Sequence, residues 1–185
     1  MKEKMNRENP FTGKTEGVEL TPEQEFKMKL KDSTKGCVCP TCGRKAKEYK
    51  RRLTSSLCMA MVEILKYYRH TEKVELLDYF HIDDIFKDNP RLKVDFPKLQ
   101  YWDLIEAKGK MIGGKFVKTY GYYRISENGL KFAQREVAVP IIAIVYNNVV
   151  QGHQLNPYAT IDKILAEDGV DYEMIVNPLN TIRYE

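Results

Sequence analysis

In a chain of 185 residues, 43% apolar and 11% aromatic side chains suffice for a folded core, as one domain with additions or two small domains. The longest apolar run, Val137 to Val145, is broken by Pro140 and falls far short of the roughly 20 residues that span a bilayer, and the Lys- and Glu-rich start is no signal peptide. Four cysteines make no disulfide framework at this length, which points to a reducing cytoplasm, and a net charge of +4 is too small to argue for a polyanionic partner unless the charges cluster.

Residues 1–25 are expected to form a flexible tail, since as far as Pro22 they are polar and show neither helical nor strand periodicity. Thr21-Pro22-Glu23-Gln24 is a helix start, with a Thr cap, Pro at the first position and Gln at the third. Phe26, Met28 and Leu30 then alternate with Lys27, Lys29 and Lys31, the period-two mark of a half-exposed strand. Both signals hold if a short helical turn runs into a strand.

Residues 26–53 are expected to form a zinc knuckle and a basic segment. In Gly36-Cys37-Val38-Cys39-Pro40-Thr41-Cys42-Gly43, the Cys-Pro-x-Cys-Gly loop points two thiolates at one tetrahedral metal, so a structural Zn2+ is the expected cofactor. Four protein ligands are usual and one knuckle supplies two, which leaves Cys37 and Cys58 as further candidates; His70, His81 and His153 lack diagnostic spacing. In the plainer reading Cys58 is a buried helix residue and Cys37 a spectator. A redox pair belongs at a helix start after a buried strand, and here polar residues precede the cysteines. The run from Arg44 to Arg52, ending in Lys50, Arg51 and Arg52, offers a patch for a polyanion.

Residues 54–136 read as helices followed by a ribbon. Thr54, Ser55 and Ser56 offer caps for a helix whose apolar stripe is Leu57, Met61, Ile64, Leu65 and Tyr68. Thr71 is expected to cap a second helix bearing Val74, Leu76, Leu77, Phe80 and Ile82, with Asp88-Asn89-Pro90 as the break after it. Asp95-Phe96-Pro97 opens a third helix with Leu99, Trp102 and Ile105 inward and Lys98, Gln100 and Tyr101 outward. Glycine-punctuated β-formers from Met111 to Ile125 predict a hairpin, and Ser126 caps a closing helix from Leu130 to Arg135.

Charge is separated along this ribbon. Lys108, Lys110, Lys115, Lys118 and Arg124 fall in an interval from Lys108 to Ser126 without a single Asp or Glu. A solvated Lys-rich strand has the same composition, and Tyr120, Tyr122 and Tyr123 can pack on the ribbon's own helices as readily as stack on bases. Asp78, His81, Asp83 and Asp84 form the one cluster suited to a divalent ion, though an acidic helix end is more commonly a solvated surface. No phosphate-cradling loop, nucleophile elbow or His-Glu-x-x-His helix occurs, so a non-enzymatic protein is expected.

The stretch from Pro97 to Ile105, followed by Tyr122-Tyr123-Arg124-Ile125-Ser126-Glu127-Asn128-Gly129-Leu130-Lys131-Phe132, resembles the recognition helix and second wing strand of winged helix-turn-helix proteins. A single Cys-Pro-x-Cys-Gly knuckle leading into such a unit and an Asn-Asn hairpin is also similar to uncharacterised proteins of bacteriophages and prophages. The resemblance implies that the third helix enters a major groove while the ribbon follows phosphates or a minor groove, with Lys98, Gln100, Tyr101, Lys110, Lys115, Lys118 and Arg124 as contacts.

Residues 137–185 read as an appendage: a β-hairpin turning at Asn147-Asn148, a helix capped by Thr160 and a last turn capped by Asp171. The expected whole is an α+β protein with a winged-helix core, binding double-stranded DNA as a phage or mobile-element regulator. The alternative is an adaptor or inhibitor that engages a host protein. A homodimer is compatible with either.

Overall fold

A computed structural model describes residues 4–8, 15–33, 35–71 and 77–175. The chain is a mixed α+β protein of short helices and small antiparallel sheets, in two compact units: Met1–Tyr49 with Tyr146–Asn148, and Lys50–Val145 with Val149–Glu185. Among the described residues no helix is long and apolar enough to cross a membrane.

In the smaller unit, β1 (Lys4–Glu8) and β2 (Thr15–Glu19) pair antiparallel from Lys4↔Glu19 to Glu8↔Thr15, where the sequence suggested only a flexible tail. Next, α1 (Pro22–Asp32) is helical throughout, so the expected strand from Phe26 to Lys31 does not form. The cap decides this: Thr21 and Gln24 form a reciprocal capping box and Pro22 holds the first position. Glu23–Lys27 at 2.9 Å and Glu25–Lys29 at 4.0 Å then add i,i+4 pairs, and Leu30 is buried. Phe26 meets Tyr146 edge-on at 6.3 Å. The two-residue strands β3 (Cys37–Val38) and β4 (Lys45–Ala46) bracket the cysteine loop.

In the larger unit, β5 (Tyr49–Arg52) enters α2 (Ser55–His70), which buries the predicted stripe Leu57, Met61, Ile64, Leu65 and Tyr68. Thr71 is the C-cap of this helix, its N–H bonding the Tyr67 carbonyl at 3.0 Å, and the first turn of the helix expected after it lies outside the described residues. Val74 and Leu76 lie outside the described residues, and Phe80 is not helical. It belongs to β6 (Phe80–His81), and α3 (Ile82–Phe86) starts behind it, capped reciprocally by His81 and Asp84.

The third helical segment begins earlier than the sequence suggested. The chain breaks between Phe86 and Pro90 as expected, and Asn89-Pro90 also starts α4 (Pro90–Asp95): Asn89 Oδ1 accepts the Leu92 N–H at 3.1 Å and Pro90 takes the first position. A 3-10 helix (Phe96–Trp102) follows and stops at Asp103, which has φ 56°. Ile105 therefore begins a strand. β7 (Ile105–Ile112) and β8 (Lys115–Ile125) form the expected hairpin over Gly113-Gly114, and the sheet order is β6-β8-β7. Ser126 caps α5 (Glu127–Ala133), accepting the Gly129 N–H at 2.8 Å.

The remaining elements are β9 (Val139–Pro140), β10 (Ile142–Tyr146), β11 (Val149–His153), β12 (Tyr158–Ala159) and α6 (Ile161–Ala166). The hairpin turns where expected, Asn147 and Asn148 adopting φ 49° and 60°. These elements are not an appendage. Val139, Ile141, Ala143, Val145, Ile161, Ile164 and Leu165 share one core with Met61, Phe96, Leu99, Trp102, Ile125 and Phe132. Trp102 Nε1 donates to the Pro140 carbonyl at 2.7 Å, and β10 pairs with β5, so the segment closes the fold of the residues before it.

Candidate nucleic-acid interface and cysteine knuckle

Past the β6 pairing, the β7–β8 ribbon stands clear of the core, and every residue from Lys110 to Tyr120 is exposed. Register assigns its faces, because directly opposed residues point the same way. Met111↔Phe116 and Gly109↔Lys118 lie on one face, Lys110↔Val117 and Ile112↔Lys115 on the other. The cations therefore fall on both faces: positions three apart on a strand, such as Lys115 and Lys118, must point in opposite directions. Both faces are basic and both also show apolar surface, with Met111 65% and Phe116 52% exposed.

At its base the ribbon meets the helices. Lys118 Nζ donates to Gln100 Oε1 at 2.8 Å, tying β8 to the 3-10 helix. Between the Ala107↔Tyr123 and Gly109↔Lys118 pairs the ladder is interrupted, and the extra residues lie on β8. This bulge brings Tyr120, 88% exposed, into the electrostatic reach of Lys93 on α4. Gly121 makes the bulge possible: its φ is 77°, and a Cβ there would sit 2.4 Å from His81 Nε2. Asp83 pairs with Lys93, which raises the pKa of Lys93 and lowers that of Asp83.

Several sequence-predicted contacts are occupied elsewhere. Arg124 makes two bonds to Glu106 Oε2, at 2.9 and 2.6 Å, and lies 5.1 Å from the Tyr79 ring. Lys98 pairs with Asp95 beside it. Gln100 donates its amide to the Pro97 carbonyl at 2.9 Å, and the half-buried Tyr101 accepts at its carbonyl from His153 Nε2 at 2.8 Å. Arg52 is paired with Glu167 at 2.6 Å, while Lys50 and Arg51 are exposed. The structure thus brings Lys118 and Gln100 together, leaves Lys110 and Lys115 exposed on the other face of the ribbon, and shows exposed residues that the sequence reading passed over: Lys87, and Arg91 and Val94 on α4. The signal for them was Asn89-Pro90 read as a helix start.

The acidic cluster does not converge on an ion site. Asp84 accepts the His81 N–H, His81 Nδ1 accepts the Asp83 N–H, and Asp83 is held by Lys93.

The cysteine loop is a tight turn. The Gly43 N–H bonds the Cys39 carbonyl at 2.9 Å and the Cys39 N–H bonds the Arg44 carbonyl at 2.9 Å, with Gly43 at φ 68°. The Cys39 sulfur receives the backbone N–H groups of Cys42 and Thr41, which pull its thiol pKa down. Hydrogen bonds of this kind stabilise a thiolate, so the donors fit half of a tetrahedral zinc site. Cys58, by contrast, is 0% exposed in the core of the larger unit, and burial pushes its thiol pKa up. That environment is the one expected of an inert core cysteine, and it argues against the ligand role expected of Cys58. Among the described residues, no three or more His, Cys, Asp or Glu side chains gather as a metal site.

Comparison with known proteins gave no match to this chain, neither a family model, nor a curated protein, nor a solved structure.

Proposed function

We propose that this protein binds double-stranded DNA through α4, the 3-10 helix and the β7–β8 ribbon. The observation that carries the reading is the stretch of ribbon from Lys108 to Ile125, free of Asp and Glu, with exposed Lys110 and Lys115, joined to the helical segment through Lys118 and Gln100. Element order supports it. Among the described residues a helix, a short strand, two further helical segments and a hairpin follow in turn, with β6 outside β8, an order similar to the one the winged helix-turn-helix resemblance implies.

In this reading Arg91 and Val94 on α4 are presented to base edges in the major groove, and the ribbon enters the neighbouring minor groove. Cations on both ribbon faces suit such a slot, because each wall of a groove is a phosphate backbone. Lys118 serves one wall, Lys110 and Lys115 the other, and each neutralised phosphate adds affinity by counterion release. Exposed Met111 and Phe116 supply apolar contact to the sugars between.

A protein-binding adaptor is the second reading, favoured by the same apolar residues with Ile112 and Val117. Band-shift titration with a duplex library at rising salt separates the two. A duplex binder gives a complex whose affinity falls steeply with salt; an adaptor gives none at moderate salt.

A further inference from the structure

We propose that Cys39 and Cys42 are half of an intermolecular zinc site, completed by the same two residues of a second copy of the chain. The two thiols share one tight turn, closed by the Gly43 N–H to the Cys39 carbonyl and the Cys39 N–H to the Arg44 carbonyl, both at 2.9 Å, so both cysteines sit on one exposed loop. A structural zinc takes four protein ligands, and among the described residues no third His, Cys, Asp or Glu side chain joins these two in a metal-binding group. A two-fold axis through the ion doubles the donor set without further residues.

The surroundings suit a second copy. Pro40, Thr41, Cys42 and Gly43 are exposed, so the loop is approachable, and Val38 on β3 is 67% exposed beside it. Zinc with four thiolates carries a double negative charge. Arg44 and Lys45, which follow the loop directly and are exposed, bring two cations from each copy to offset it. As each sulfur binds the ion its thiol proton passes to solvent, so assembly is favoured by rising pH and opposed by acid. Cys37, a half-buried free cysteine on β3, is not required for the set.

The site uses only the smaller unit and stands whether or not the ribbon binds DNA. The test is zinc content by elemental analysis together with mass by sedimentation, on the full-length protein. One zinc per two chains in a dimer, lost to monomer with a chelator and restored by zinc alone, is the expected result. Cys39→Ser and Cys42→Ser each give a metal-free monomer with unchanged circular dichroism, and Cys37→Ser keeps both metal and dimer. One zinc per monomeric chain, a dimer that survives removal of zinc, or loss of zinc in Cys37→Ser overturns the proposal.

Discussion

Lys118 on β8 and Gln100 on the 3-10 helix meet at 2.8 Å, tying the base of the ribbon to the helical segment. Both groups are at the surface, where such a bond adds little stability. Substitution of Lys118 by Ala or Glu is therefore expected to change unfolding free energy by less than about 0.5 kcal/mol. Thermal melts of these variants should overlay the parent, which makes any loss of binding a property of the surface. A cooperative shift of several degrees would mean that the ribbon's position depends on this contact.

Arg91 and Lys115 are expected to fail in different ways. Arg91→Ala on α4 should reduce discrimination between duplexes, with a cost of about 1–3 kcal/mol on preferred sequences. Lys115→Ala should weaken all duplexes alike and lower the salt slope by about 0.9. Affinities across a panel of duplexes at several salt concentrations read both effects. Equal behaviour of the two variants would refute the division between helix and ribbon.

Trp102 reaches from the 3-10 helix to the Pro140 carbonyl, inside the core shared with residues 139–165. Trp102→Ala should cost about 3–5 kcal/mol by cavity formation. A chain ending at residue 136 should not fold, because it lacks β10, the partner of β5, and α6, which buries Ile161, Ile164 and Leu165. Circular dichroism and urea titration check both outcomes. A cooperatively folded fragment would restore the appendage picture.

Gly121→Ala tests the bulge. Positive φ costs the new residue about 1–3 kcal/mol, and the added Cβ meets the His81 ring as well. In a His81→Ala background the steric part disappears, and urea denaturation should show the penalty falling to the backbone component. An additive double mutant would mean that ring and bulge are not in contact.

Tyr68 lies in the core beside Phe80, and its hydroxyl donates to the Asp78 carbonyl. Burial pushes its pKa up to about 12. A folded-state value above the unfolded one means that its contribution is complete below about pH 10 and is lost as pH rises toward the folded pKa. Tyr67, Tyr123 and Tyr172 are shifted the same way, so Tyr68→Phe should flatten the alkaline fall in stability without removing it. Urea midpoints measured from neutral to alkaline pH would show it, and an unchanged slope would contradict the assignment.

What could be read from the sequence was local and repeated. The stripe of α2 recurs over four turns, and paired glycines and asparagines mark their own hairpins by demanding positive φ. Short signals misled. Three apolar residues at alternate positions suggested a strand at Phe26, Met28 and Leu30, but the capping box, Pro22 and two ion pairs favour helix. Strand β6 has two residues, too few for any pattern, and it forms because β8 offers Tyr122 and Tyr123 as partners. Long-range facts were invisible. Nothing near Arg124 or Arg52 announces Glu106 or Glu167, and nothing in residues 137–165 announces Trp102 as a core neighbour. The split of the ribbon lysines between faces was legible in principle from strand alternation.

The most direct test is the salt dependence of duplex binding by the protein with Lys115→Glu and Lys118→Glu, one reversal on each ribbon face. The account predicts an intact fold, a salt slope lower by about 1.8 from two lost phosphate contacts, and severely weakened binding at every sequence tested. Unchanged affinity and an unchanged slope would contradict it, and would leave the exposed apolar ribbon as a surface for a protein.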